Sequence, residues 1–430
     1  MNDFDEGIIQ NRKRFMGSKA ATLYDRPIHL VKADGVWMWE ANGKKYLDCY
    51  NNVPHVGHCH PKVTEAICRQ TATLNTHTRY LHQGILNYLE RLIFTFEKQI
   101  ECGILTCTGS EANDIALRMA ETYTGKSGVI ATDHTYHGNT ATVSQLSLTN
   151  APKIGSSKNV RFVPSPDSYR PLGENDSDEH ALLFSIEVRK KIEELNTLDC
   201  GFSSIIICPF FANEGFPTLP KGFLDKTIEV VREANGLIIA DEVQPGFGRL
   251  GSHMWGHQRI GLEPDIITLG KPMGNGYPIG GVLTSSQILD AFQKSFRYFN
   301  TFGGNPVACA AANAVLDVLD EEKLLEKALS VGKYSVDRLN RLKEKFWCIG
   351  DVRGAGLFFG AEFVHDRETK EPNPILAHKV VIEMLKEGIL INRSGVKYST
   401  LKIRPNLQFS IEHADILINT LEKILTRLNF

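Results

Sequence analysis

Two residues in the stretch from Gly236 to Gly276 are of types that can do chemistry together. Asp241 ends the apolar run Leu237 to Ala240, and Lys271 lies just past the run Asp265 to Leu269. Both runs read as short buried strands followed by polar, Gly-rich sequence. In open α/β sheets ligands gather at the C-terminal ends of strands, so an acid and an amine delivered there can face one small molecule. A lysine that has lost its proton can form a Schiff base with a carbonyl, and burial or a neighbouring cation favours that neutral state. A carboxylate beside it suits a protonated pyridine nitrogen, and the pair matches the pattern expected of a pyridoxal phosphate (PLP) site. Taken alone, the two residues fit equally an internal ion pair that only ties strands together.

Further positions bear on that choice. The run ECGILTC followed by TGSEANDIALRMAETYTG reads as strand, turn and helix. Gly109 and Ser110 then stand at a helix N-terminus, where unpaired N–H groups and the helix dipole favour a phosphate. An ordinary cap with Ser110 as capping residue is the competing reading. Tyr136-His137-Gly138 follows a strand end, where a flat aromatic can stack on a flat ring or simply join the core. His55, His58 and His60 lack the i, i+4 spacing of a zinc helix, and no metal is expected. Thr124-Gly125-Lys126-Ser127 has the tail of a phosphate loop, but Ala120 stands where its first glycine belongs. Gly274, Gly276 and Gly280 miss the dinucleotide-binding spacing.

The elements that must carry these residues follow a βα rhythm through Gly128 to Thr132, Val160 to Val163, Ser204 to Cys208, the two strands above, and Gly281 to Thr284. That alternation predicts a mostly parallel sheet covered on both faces. Ahead of it, residues 29 to 50 alternate around Asp34-Gly35 and Asn42-Gly43 as a small antiparallel meander. Residues 61 to 98 read as helical, with Arg79 between two helices. Residues 165 to 182, rich in Pro, Ser, Asp and Asn, read as an exposed insertion. From about Glu321 amphipathic helices, the strand pair in GDVRGAGLFFGAEF and a final helix from His413 form a compact α/β unit. A chain of 430 residues exceeds one ordinary core, so a large and a smaller domain are expected. A net charge of −2 with no basic block argues against nucleic acid as a partner. The sequence lacks an apolar run of membrane-spanning length and a signal peptide, and its nine cysteines are scattered as reduced thiols are, so a cytoplasmic location is expected.

The runs ADEVQPGFGR and TLGKPMGNGYPIGG, together with NNVPHVGHCHP and YFNTFGGNP, resemble the class III (ornithine/acetylornithine-type) aminotransferases over nearly the whole chain. Among them they are similar to the ethanolamine-phosphate phospho-lyases and alanine-glyoxylate aminotransferase 2-like enzymes. The resemblance implies the fold type I architecture of PLP-dependent transferases, an α/β fold whose large domain has a mostly parallel seven-stranded sheet, with a small α/β domain. Its implied boundaries are residues 1–60 packing with the small domain, 61–320 for the PLP-binding domain and 321–430 for the small domain. It implies catalytic roles for Lys271, the Schiff-base lysine, and Asp241, the partner of the pyridine nitrogen. It further implies cofactor contacts from Gly109, Ser110, Tyr136, His137, Gln244 and Thr301, the last reaching the neighbouring subunit of a homodimer or dimer of dimers. The implied reaction moves an amino group between an amine and a keto-acid; the alternative eliminates phosphate and ammonia from a phosphorylated amino-alcohol. Two departures bear on substrate: Cys208 replaces a glutamate of the family, and Lys402 an arginine. Lys402 and Arg404, two apart in an expected strand, with Arg79 form a candidate cationic rim for a substrate anion.

Overall fold

The computed structural model describes residues 3–148, 157–173 and 176–429. Three short N-terminal strands, Leu30–Asp34 (β1), Trp37–Glu40 (β2) and Lys45–Asp48 (β3), form the expected antiparallel meander. Seven strands then build the central sheet: Cys102–Thr106 (β4), Gly128–Thr132 (β5), Val160–Val163 (β6), Phe202–Ile207 (β7), Leu237–Asp241 (β8), Ile266–Leu269 (β9) and Gly280–Thr284 (β10). Their order is β4-β10-β9-β8-β7-β5-β6, and only β10 runs against the rest.

The central strands are continuous apolar runs because both faces of the sheet are covered. Ile206, Ile239 and Ile266 pack with Ala112, Ala116 and Met119 of the helix Gly109–Thr124. Their neighbours Ile205, Ile207, Ile238, Ala240, Ile267 and Leu269 point the other way, into a core shared with Phe184 and Val188 of the helix Ser177–Asn196. The register pairs Ala240 with Ile267 and Asp241 with Thr268, so the acid sits at the last rung of the ladder and the lysine three residues beyond it.

The last third of the chain forms an antiparallel sheet from Ile349–Ala355 (β11), Phe358–Phe363 (β12), Asn392–Ser394 (β14) and Thr400–Lys402 (β15), in the order β11-β12-β15-β14. The strand Ile389–Leu390 (β13) leaves this group and pairs in parallel with β3, placing Ile389 opposite Leu47. The final helix begins at Ile411, two residues before the expected start, because the His413 ring accepts from the Ser410 N–H (3.1 Å) in a capping box.

The described residues of 165–182 are not a wholly exposed insertion. Arg170 pairs with the buried Glu362 at 2.9 Å and donates to the Lys370 carbonyl at 2.8 Å, and a helix already starts at Ser177 with His180 and Ala181 buried. Asp167 and Arg170 pair with the C-terminal sheet and Ser165 with Asp133, uses that composition does not distinguish from solvation. Among the described residues no helix is long and apolar enough to cross a membrane.

Candidate active site

The six strands that run in one direction send their following loops to the same edge of the sheet. There Gly109, Ser110, Tyr136, His137, Gly138, Cys208, Asp241, Val243, Gln244 and Lys271 line one cavity of about 170 Å³. The loop after β4 enters the helix Gly109–Thr124 through a capping box in which Thr108, not Ser110, is the cap. Its hydroxyl accepts from the Glu111 N–H (3.1 Å), while the Glu111 carboxylate takes the N–H groups of Cys107 and Thr108. Thr108 therefore supplies the cap, and the first-turn N–H groups of Gly109 and Ser110 are left for a ligand. Gly138 adopts φ of +144°, and a Cβ there would lie 2.5 Å from Ser110 Oγ, so only glycine lets the Tyr136 loop close on the helix tip.

Asp241 is held by three donors. His137 Nδ1 lies 2.6 Å and Asn113 Nδ2 3.1 Å from Oδ2, and the Val243 N–H donates to Oδ1 at 3.0 Å. Thr135 Oγ1 holds the far nitrogen of His137 at 3.0 Å, and Thr268 Oγ1 donates to Asn113 Oδ1 at 2.6 Å. His137 thus lies against the acid, and Tyr136 alone offers an aromatic face, 38% exposed.

Lys271 follows Gly270, where a Cβ would sit 3.2 Å from the backbone of Gly109. The absent side chain lets the lysine turn pack onto the helix tip. Farther along the same turn Asn275 accepts from the Val56 N–H (2.9 Å) and donates to the Gly57 carbonyl (2.8 Å), fixing the loop. Burial pushes the Lys271 ammonium below the usual lysine range; Asp241 opposes the shift and Arg404 adds to it. Burial, with Asp241 and Glu214 nearby, pushes the Cys208 thiol up, so this replacement of the family glutamate is a neutral thiol.

Lys402 and Arg404 converge on the face next to Gln244. Lys402 Nζ donates to Asn213 Oδ1 at 2.8 Å, Arg404 donates to Gln244 Oε1 and to the Tyr50 carbonyl (2.9 Å), and both cations lie within 6 Å of the Phe358 ring. Phe210 and Phe216 pack on Phe358, so the segment after Cys208 is an aromatic base under the cations. Burial pushes both groups down, Lys402 strongly, with Arg404 adding repulsion. Arg79 is elsewhere: its guanidinium stacks 3.8 Å from the Phe299 ring in a surface groove that also contains Asn300. Thr301, exposed on the next position of that loop, is likewise outside the cavity. The three histidines are engaged in separate places: His55 with Phe247 and Arg249, His58 with Asp48, His60 with Glu322.

Sequence reasoning passed over Asn113, Thr135, Thr268 and Asn213. Asn113 had a readable signal, an amide four residues after Gly109 on the apolar face between Ala112 and Ala116. The others had none.

The family model for class III aminotransferases matches residues 20–425. The chain belongs to the class III aminotransferases. It is 38% identical over 97% of its length to an alanine–glyoxylate aminotransferase 2-like protein of Drosophila melanogaster, covering 86% of that chain. An ethanolamine-phosphate phospho-lyase homologue of Caenorhabditis elegans is 37% identical over 99% of this chain and 94% of its own. Among solved structures, a phospholyase from Arthrobacter in complex with phosphoethanolamine superposes with a TM-score of 0.94 at 42% identity, covering 97% of this chain and 99% of that one. The fold is that of the PLP-dependent fold type I enzymes, and this class III enzyme is PLP-dependent. The donor set of the cavity fits PLP: helix N–H groups for a phosphate, an acid for a pyridine nitrogen and a buried amine for an aldehyde carbon.

Proposed function

We propose that this class III aminotransferase moves an amino group between a small amine or amino acid and a keto-acid, with Lys271 as both cofactor attachment point and proton carrier. The observation that carries the reading is the convergence of Lys271, Asp241 and the tip of the helix Gly109–Thr124 on one small cavity, with the lysine pushed toward its neutral form. Gly109 and Ser110 would hold the cofactor phosphate, Tyr136 would cover the ring, His137 steadies Asp241, and Gln244 would meet the phenolic oxygen. Bound PLP supplies an electron sink for the pair left when the substrate α-carbon gives up a proton. With PLP bound, Lys271 would take that proton and return one to complete transfer. Asp241 keeps the pyridine nitrogen protonated throughout.

Residues 1–60, 61–320 and 321–430 are taken as an N-terminal segment packing with the small domain, the PLP-binding domain and the small domain. Arg79 and Asn300 line one surface groove outside the cavity of their own chain, and the exposed Thr301 is next to Asn300, which supports a homodimer in which that loop reaches the neighbouring site. The nine unpaired cysteines support a cytoplasmic location.

A second reading, elimination of phosphate and ammonia from a phosphorylated amino-alcohol, is favoured by Lys402: a buried lysine amine, which an arriving anion would favour in its charged form, suits a phosphate better than a bidentate carboxylate contact. Incubating PLP-loaded protein with a panel of amines, with and without keto-acids, separates the two. Amine loss that requires a keto-acid supports transfer. Equal release of phosphate and ammonia without one establishes elimination. Reduction with borohydride should fix the cofactor to the peptide containing Lys271, and its appearance on another lysine would overturn the assignment.

A further inference from the structure

Gln244 is an amide on the wall of the cavity, and an amide has two ends that are nearly alike in shape but opposite in hydrogen bonding. Which end faces the ligand decides whether Gln244 donates or accepts. Its Oε1 is occupied by a guanidinium N–H of Arg404, a group that can only donate. The opposite end, Nε2, makes a long 3.5 Å contact with Asn213 Oδ1, an oxygen that already accepts from Lys402 Nζ at 2.8 Å. The donor end is therefore weakly engaged. Arg404 is itself fixed, since its Nε donates to the Tyr50 carbonyl at 2.9 Å, its guanidinium stacks 4.7 Å from the Tyr50 ring, and the side chain is buried. A flipped Gln244 would set its NH₂ against an immobile guanidinium, two donors without an acceptor between them. That arrangement is costly in a buried site.

We propose that Arg404 is a positioning residue, which locks the Gln244 amide with its nitrogen toward the cavity so that Gln244 can only donate to the bound cofactor. This rests on the reading that Gln244 meets the cofactor's phenolic oxygen. It gives Arg404 a different task from Lys402, although the two lie two residues apart on the same face. Lys402 has spare donors for a substrate anion, whereas Arg404 acts through Gln244. The charged and titratable groups around the amide are Tyr136, His137, Asp241, Lys271 and Cys208 of the cavity, with Lys402, Arg404, Glu214 and Tyr50 behind it.

A donor to an oxygen stabilises its ionised form, so losing that donor makes the oxygen more basic. The readout is the pH midpoint of the visible absorption band of PLP-loaded protein. Gln244→Ala should raise it by about one pH unit, the size of one lost hydrogen bond. Arg404→Lys keeps the charge but loses the planar fork, and it should raise the midpoint comparably. In the double variant the midpoint should match that of Gln244→Ala alone. Arg404→Gln, measured in both the native and the Gln244→Ala backgrounds, serves if Arg404→Lys loads cofactor poorly, because the bare effect of charge cancels between backgrounds. A native midpoint in Arg404→Lys, or Arg404 effects that add in full to Gln244→Ala, would overturn the positioning role while leaving the contact of Gln244 intact. An unshifted Gln244→Ala would overturn that contact and the inference with it.

Discussion

Asp241 and Lys402 are both ionisable, both buried and both close to Gln244, yet they are surrounded in different ways. Asp241 has each oxygen engaged, by His137, Asn113 and a backbone N–H, and those donors are themselves braced by Thr135 and Thr268. Lys402 has one neutral acceptor, Asn213, a guanidinium for a neighbour, and Glu214 as a weaker opposing influence. The carboxylate is a fixed charge whose cost of burial is met inside the fold, as preorganised catalysis requires. The lysine is left short of negative charge, a deficit that a substrate anion can supply.

The comparison can be broken at several points. Lys271→Ala stands outside both clusters and should have the largest effect, a loss of turnover of at least about 10⁴-fold, because attachment and proton transfer vanish together. PLP should still bind through the phosphate and ring contacts, which equilibrium dialysis would check. Asp241→Asn keeps the shape and removes the fixed charge; kcat should fall by about 10²- to 10³-fold with cofactor retained. A near-native rate would mean that another group serves the pyridine nitrogen. Lys402→Ala should raise KM for an anionic substrate by roughly tenfold for each 1.4 kcal/mol lost and change kcat less, since this contact forms before and persists through the chemistry. Unchanged KM would show that Lys402 meets no anion.

The smallest effect tests a third kind of buried charge, one residue from the first. Glu242 faces away from the cavity and accepts from the N–H groups of Gly256 and His257 and from the His257 ring (2.8 Å), whose other nitrogen meets Glu97 at 3.1 Å. Burial opposes charging of His257, and hydrogen bonds to Glu242 and Glu97 more than reverse it, raising it to about 9. Because the folded value lies above the unfolded one of about 6.5, this contribution to stability is full below about pH 6.5 and is lost as pH rises toward 9. The Tm should fall by a few degrees over that window, and His257→Gln should flatten the fall.

The fold was largely legible because buried parallel strands are written as unbroken apolar runs, and Leu237–Asp241 and Ile266–Leu269 appear within one residue of their expected bounds. Lys271, Asp241, Gly109 and Ser110 were singled out by their places at strand and helix ends, Tyr136, His137 and Gln244 through the family resemblance, and one cavity gathers all seven. Thr301 was expected to reach the neighbouring subunit's site and lies outside the cavity of its own chain, as does Arg79, which was expected at the substrate rim. The braces were not legible. Asn213 and Thr268 acquire meaning only from what the folded chain sets opposite them, and a polar residue at a strand end looks alike in sequence whether it faces water or a carboxylate. The same ambiguity misread residues 165 to 182, where Arg170 is spent on Glu362.

The pairing of β3 with β13 has a consequence for how the protein is made. Its N-terminal meander is finished only when Leu47 meets Ile389, and nearby the Tyr24 hydroxyl donates to the Ile391 carbonyl, 367 residues away. On the ribosome the meander therefore emerges with an open edge, and at ~5–20 residues per second it waits roughly 20–70 s for its partner strand. Throughout that interval Leu47 and Asp48 lack the pairing that Ile389 and Leu390 later supply.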